Sequence, residues 1–174
     1  MKPLLLLDVD GVLNPTGHPT PDFRRYRCTI GSSVYTVHLN QRHGPRLLEL
    51  ALETGAELVW ATTWEQHANE WIAPRIGLPS LPVIGMRPDD RIGGEHGEMF
   101  KTRRVAEYVG GRPFVWFDDQ VYQEDENYLR ARQGTGEFLL IHVPARQGLT
   151  SQHLAVAREW LTLTGFSQGP SWEK

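Results

Sequence analysis

Four leucines, at positions 4–7, follow one another without a polar interruption and end in Asp8-Val9-Asp10-Gly11. A continuous apolar run of strand length suits a strand covered on both faces. It is too short to span a bilayer or to form a signal-peptide core. Comparable apolar runs recur at 57–61, 114–117 and 138–143, with a short strand expected at Val83-Ile84. Helical patterning separates them. It predicts a helix over 45–52 with Pro45 in its first turn and an end near Gly55, and one over 62–72 that opens on a hydroxyl-bearing turn and is terminated by Pro74 to Pro82. Further helices are expected over 100–109, closed by Gly110-Gly111, over 124–132 and over 151–163.

One region breaks the alternation. After a proline-rich stretch, residues 25–30 and 34–39 are rich in β-branched and aromatic residues and flank Gly31-Ser32-Ser33, the pattern of a β-hairpin. The predicted fold class is therefore α/β, a three-layer Rossmann-like parallel sheet with helices on both faces. A small β-hairpin flap, residues 16–41, is inserted after the first strand, within a single domain spanning 1–174. Sheets of this kind place their sites at the carboxyl ends of the strands. Asp8 and Asp10, Thr62 and Thr63, and Asp118 and Asp119 all fall at such ends.

Composition narrows the function. With 174 residues, 40% of them hydrophobic, the chain can bury a core of its own. A net charge of -3 gives no overall basic footprint for nucleic acid. The single cysteine, Cys28, excludes an internal disulfide framework and a cysteine-based zinc site, and points to a reducing compartment. No membrane-spanning stretch or leader is evident, so the expected location is cytoplasmic, with no membrane partner and no obligatory protein partner. Only three of the 18 basic residues are lysines, and Lys101 is the one away from the termini.

Asp8 and Asp10, two apart on a strand, point the same way and repel unless a cation, a shared proton or a turn at Gly11 separates them. The plainer reading is an Asx-type turn. Four carboxylates, one or two hydroxyls and an isolated lysine at one sheet edge suggest a divalent cation and a phosphoryl group. Oxygen ligands without histidine or cysteine favour Mg²⁺ over zinc. Phosphoryl transfer needs an in-line nucleophile and positive charge around three oxygens.

In that order along the chain, these residues resemble the haloacid dehalogenase (HAD) superfamily. Asp8-Val9-Asp10-Gly11 looks like its first motif, Thr62 its second, Lys101 its third and Asp118-Asp119 its fourth, over roughly residues 4 to 145. More narrowly, residues 8–15, 59–65 and 115–119 look like the small bacterial domains related to those in RNA-repair proteins. The resemblance implies a HAD-type phosphatase, a hydrolase of phosphate monoesters. Asp8 would be the nucleophile that forms an aspartyl-phosphate, and Asp10 the acid/base. Thr62 would bind the phosphoryl oxygens, with Thr63 and Gly11 beside them, and Lys101 would offset their charge. Asp8, Asp118, Asp119 and the main-chain carbonyl of Asp10 would bind Mg²⁺. The second acid, Asp10, favours phosphate transfer over dehalogenation or phosphonate cleavage.

Other readings stand beside these. Thr62, Thr63 and Asp119 fit helix N-caps, and Lys101 fits a solvated helical charge. His18, His67 and His96 read as surface or loop residues; Trp64, Trp71, Trp116 and Trp160 as core or pocket wall. A phosphorelay receiver uses similar groups, but in a chain order that puts the lysine last. The remaining rival is a catalytically weak module that binds a phosphorylated ligand. The expected partner is a phosphorylated small molecule or a nucleic-acid end, with Arg24, Arg25 and Arg27 of the flap as candidates for extra phosphates or as a solvated strand face.

Overall fold

The computed structural model describes residues 1–17, 20–87 and 93–164. His18 and the extremity of the chain past Thr164 lie outside them. The central sheet has four parallel strands: β1 (Leu4–Leu7), β4 (Glu57–Trp60), β5 (Phe114–Asp118) and β6 (Phe138–His142), in the order β4-β1-β5-β6. All four leucines of β1 are fully buried. Leu5 and Leu7 face one apolar layer and Leu4 and Leu6 the other, which is why the strand reads as unbroken leucine rather than as an alternation. Helices α1 (His43–Thr54) and α5 (Ser151–Leu163) cover the first face, and α3 (Thr102–Val109) and α4 (Gln123–Ala131) the second. The expected three-layer α/β arrangement is present.

Between β1 and α1 the chain forms an antiparallel hairpin, β2 (Phe23–Ile30) and β3 (Ser33–Asn40). Its register pairs Cys28 with Tyr35 and Tyr26 with Val37. Directly opposed residues share a face, and this face carries Cys28, Val37 and Leu39 into the main core. Arg25 and Arg27 belong to the opposite, exposed face, while Arg24 shares the inner face but pairs with Leu39, away from the hairpin tip. The hairpin is also tied down by Arg75, whose guanidinium lies over the rings of Tyr26 (5.5 Å) and Trp71 (4.9 Å).

Four local expectations change. Thr62 and Thr63 do not cap a helix: the helical segment reaches its π-wound turn at Ala68–Ile72 and continues as α2 (Ala73–Ile76). Pro74 does not end it. It sits in the first turn of α2, where a missing N–H costs nothing, and the π-turn absorbs the change in winding. The stop comes at Gly77, with φ of +80°. Val83 makes only an isolated bridge to Trp60, not a strand. Lys101 occupies the cap position before α3 instead of lying within a helix that starts at residue 100.

Candidate active site

The parallel register sets the site. Leu7 pairs with Trp60 on one side and Phe117 on the other. The next residues out are therefore Ala61, Asp8 and Asp118, in a row across the carboxyl edge. Asp8 and Asp118 are buried, and Asp119 is half-buried. One carboxylate oxygen from each lies within 4.8 Å of the others.

Lys101 fills the space between two of them. Its Nζ donates to Asp8 Oδ2 at 2.6 Å and to Asp118 Oδ2 at 2.5 Å, with only 2% of the side chain exposed. Burial alone would lower the lysine pKa, but the two carboxylates overcome it and hold the ammonium charged, above its ordinary range. This excludes the solvated-lysine reading. One ammonium does not neutralise two buried acids. Burial first, and the Asp8 charge second, push Asp118 up to about 7, although Lys101 acts against them. Asp119 is raised by the same two causes.

The chemistry of this set fits a hard divalent cation. Among the described residues it has three converging carboxylates bridged by the Lys101 ammonium, and Asp119 Oδ1 is buried with no hydrogen-bond partner. A buried carboxylate oxygen without a donor is costly unless something positive completes it. Asp118 Oδ1, by contrast, already accepts from Gln120 N at 2.9 Å. Asp119 does not cap α4, because Tyr122 holds that position.

Asp10 lies apart from this cluster and is exposed. The turn Val9 to Asn14 closes on itself, with the N–H groups of Val12, Leu13 and Asn14 all donating to Val9 O. Gly11 makes this possible at φ +76°. Two side chains then fix the Asp10 carboxylate. Asn14 Nδ2 donates to Oδ1 and Trp64 Nε1 donates to Oδ2, both at 2.8 Å. Asn14 Oδ1 in turn accepts from His38 N of β3, so one amide ties Asp10 to the hairpin. Neither partner is singled out by the sequence alone. The signal available was Asn14, four residues past Asp10 in the same turn; Trp64 is 54 positions away and carries no local cue.

The two threonines separate. Thr62 is fully buried, its Oγ1 accepting from Trp64 N at 3.4 Å and donating to no described residue. Thr63 is exposed and lines a cavity with Asp10, Ile30, Tyr35, Trp64 and His67. His67 pairs with Glu70 at 2.8 Å, and His96 lies in an exposed loop; neither joins the acidic cluster. Arg24, Arg25 and Arg27 do not line the cavity.

Asp125 is the other residue that sequence reasoning passed over. Fully enclosed at the start of α4, it accepts from Met99 N (2.7 Å), Thr102 Oγ1 (2.5 Å) and Tyr122 N (2.9 Å). It thereby clamps the backbone on either side of Lys101 to the loop that follows Asp118 and Asp119.

The fold and the site define a parallel α/β protein with an acid-rich, lysine-bridged cluster at the carboxyl edge of its sheet, where this architecture places its ligands. The chain belongs to the HAD superfamily: the family model for the HAD domain in Swiss Army Knife RNA repair proteins matches residues 4–154. No curated protein matches it. Membership makes it a HAD-like phosphohydrolase or a related module. Among the described residues, no helix is long and apolar enough to cross a membrane.

Proposed function

We propose that this protein is a Mg²⁺-dependent phosphomonoesterase that works through an aspartyl-phosphate on Asp8, with a nucleotide or a nucleic-acid end as its substrate. The observation that carries the reading is Lys101 Nζ bridging Asp8 and Asp118, beside Asp119 Oδ1, which is buried without a hydrogen-bond partner among the described residues. The nucleic-acid part rests on the name of the matching family.

In this scheme Asp8 Oδ attacks phosphorus, the P–O bond to the leaving group breaks, and Asp10 delivers a proton to the departing oxygen. Asp10 then takes a proton from water, whose oxygen displaces Asp8 and releases inorganic phosphate. Asp8, Asp118 and Asp119 would hold Mg²⁺ with the main-chain carbonyl of Asp10, and the ion would offset charge on the phosphoryl oxygens. Lys101 shields the same charge from the protein side. Thr62 offers its free hydroxyl hydrogen to a phosphoryl oxygen. Trp64 and Asn14 keep Asp10 aimed, since each donates to a different oxygen of its carboxylate.

The test is hydrolysis of a panel of phosphomonoesters, including mononucleotides and phosphate-terminated oligonucleotides, with Mg²⁺ and in excess chelator. Mg²⁺-dependent phosphate release that vanishes in Asp8→Asn is expected. Turnover that persists in chelator, or in Asp8→Asn, would overturn the proposal.

A further inference from the structure

The cavity next to Asp10 has a volume of about 250 Å³ and is lined by Asp10, Ile30, Tyr35, Thr63, Trp64 and His67. Three features of its walls bear on what it accepts. First, no lysine or arginine lines it, and Lys101 is committed to Asp8 and Asp118. The phosphoryl group therefore belongs at the acidic cluster, and the cavity takes the uncharged part of the substrate. Second, its size is below the roughly 300–1,000 Å³ of sites that enclose a whole drug-sized ligand. One ring system fits; a long segment does not. Third, the lining is aromatic and polar together. The rings of Tyr35 and Trp64 meet edge to face, with centroids 5.7 Å apart. Tyr35 is nevertheless 46% exposed, so Trp64 braces the phenol ring while leaving much of it open to a ligand. Thr63 adds a hydroxyl, and His67, engaged through Nδ1 with Glu70, has no described partner at Nε2.

Position decides which part of the substrate enters. Asp10 is both a wall of the cavity and the group aimed by Trp64, and the substrate atom that Asp10 protonates is the leaving oxygen. What lies beyond that oxygen must enter the space beside Asp10. The hairpin that supplies Tyr35 and Ile30 is held in register with Asp10 by Asn14, which bonds Asp10 Oδ1 and His38 N together.

We infer that this cavity is a subsite for the leaving group and that it takes a nucleobase, stacked on Tyr35 and hydrogen-bonded by Thr63 and His67. This deepens the phosphomonoesterase reading and rests on it for the word "leaving". Stacking on an aromatic side chain changes binding roughly 5- to 150-fold per base. The polar rim separates a nitrogen heterocycle from a plain aryl group. The base comes from a free nucleotide or from the terminal nucleotide of a strand; the two share this chemistry.

The experiment compares a nucleoside 5′-monophosphate with ribose 5-phosphate, the same ester without its base, in the wild type and in Tyr35→Ala, Tyr35→Phe and Tyr35→Trp. Tyr35→Ala should lower the ratio of kcat/KM for nucleotide over sugar phosphate about tenfold or more, mainly through KM, and the two aromatic variants should restore it. An unchanged ratio for the mononucleotide together with an unaffected 5′-phosphorylated oligonucleotide, or equal losses on every substrate, overturns the subsite while leaving a phosphatase in place. A second arm titrates adenosine 5′-monophosphate into Asp8→Asn and Asp8→Asn/Tyr35→Ala by calorimetry. Binding that weakens with Tyr35→Ala supports the subsite even if no variant hydrolyses anything, in which case it is the phosphatase reading that fails. No binding to Asp8→Asn, together with no preference for the nucleotide, rejects the subsite. A 5′-phosphorylated oligonucleotide run beside the mononucleotide identifies the source: a Tyr35→Ala loss shared by both shows that a free nucleotide suffices, and one confined to the oligonucleotide assigns the base to a strand end.

Discussion

Gly11 and Asp119 touch so closely that no side chain fits between them: a Cβ at Gly11 would stand 2.4 Å from Asp119 Cγ. Gly11 also holds φ +76°, which costs an L-residue about 1–2 kcal/mol. Gly11→Ala should therefore push the Asp119 carboxylate away from Asp8 and Asp118. The expected result is a 10- to 100-fold rise, roughly, in the Mg²⁺ concentration that half-saturates activity, as for displaced metal-site groups elsewhere. Titration of the initial rate with Mg²⁺ checks it; an unchanged half-saturation would remove Asp119 from the proposed metal set.

Asp8 and Asp10 serve different steps in the proposed scheme, so their variants should differ in kind. Asp8→Asn should show no turnover and no phosphoenzyme. Asp10→Asn should lose about 10²- to 10⁴-fold in kcat, the usual contribution of an acid/base, yet still form a phosphoenzyme from a substrate with a good leaving group. Rapid-quench mass spectrometry on the intact protein distinguishes the two. Phosphoenzyme in Asp8→Asn would move the nucleophile elsewhere.

Asp125 takes no part in the proposed chemistry but receives three donors from the segments on either side of the site. Asp125→Ala would leave Met99 N, Tyr122 N and the Thr102 hydroxyl enclosed without their acceptor. A loss on the order of 3 kcal/mol follows, which for a chain of this size lowers Tm by roughly 6–12 °C. Because Thr102 adjoins Lys101, kcat should fall at temperatures where the variant is still folded. Thermal denaturation with a parallel rate measurement tests both parts, and full activity in a destabilised variant would limit Asp125 to stability.

His43 supplies a pH dependence remote from the site. It is 4% exposed, packs edge-on against Phe23 at 5.7 Å, and its Nδ1 has no partner among the described residues. Burial first, with the nearby Arg46 charge adding to it, lowers its pKa from 6.5 to about 4, although a hydrogen bond to the Leu149 backbone acts against them. In the unfolded chain the imidazole gains a proton near pH 6.5, whereas in the folded chain it resists until about pH 4. Its contribution is complete above pH 6.5 and is lost as pH falls towards 4, by about 3 kcal/mol in all. Denaturant unfolding at pH 7.5, 5.5 and 4.5 should show His43→Leu losing less stability with acid than the wild type. Parallel losses in both would assign the acid sensitivity to other groups.

Much of this arrangement is legible in the sequence because it is local. The Leu4–Leu7 run, the glycines that end α1 and α3, and the acids that follow β1 and β5 each signal their own structure. The parallel α/β class then puts those acids on one edge. What the sequence hides depends on register and distance. Lys101 looks like a helical residue, since cap and first-turn positions share a composition. The π-turn at Ala68–Ile72 leaves no mark except a proline that looks like a terminator. That Trp64 and Asn14 aim Asp10 follows from two turns folding together, which no spacing rule encodes.

The inner face of the hairpin has a kinetic consequence. Cys28, Val37 and Leu39 are part of the main core, so swinging β2 and β3 outward would expose all three. At about 1.5–3 kcal/mol for each large apolar side chain, the opened form would cost on the order of 5 kcal/mol and occupy about one molecule in several thousand. The hairpin is a fixed wall. In the proposed reaction the substrate would reach the cavity past the hairpin's rim, with Cys28, Val37 and Leu39 still packed in the core.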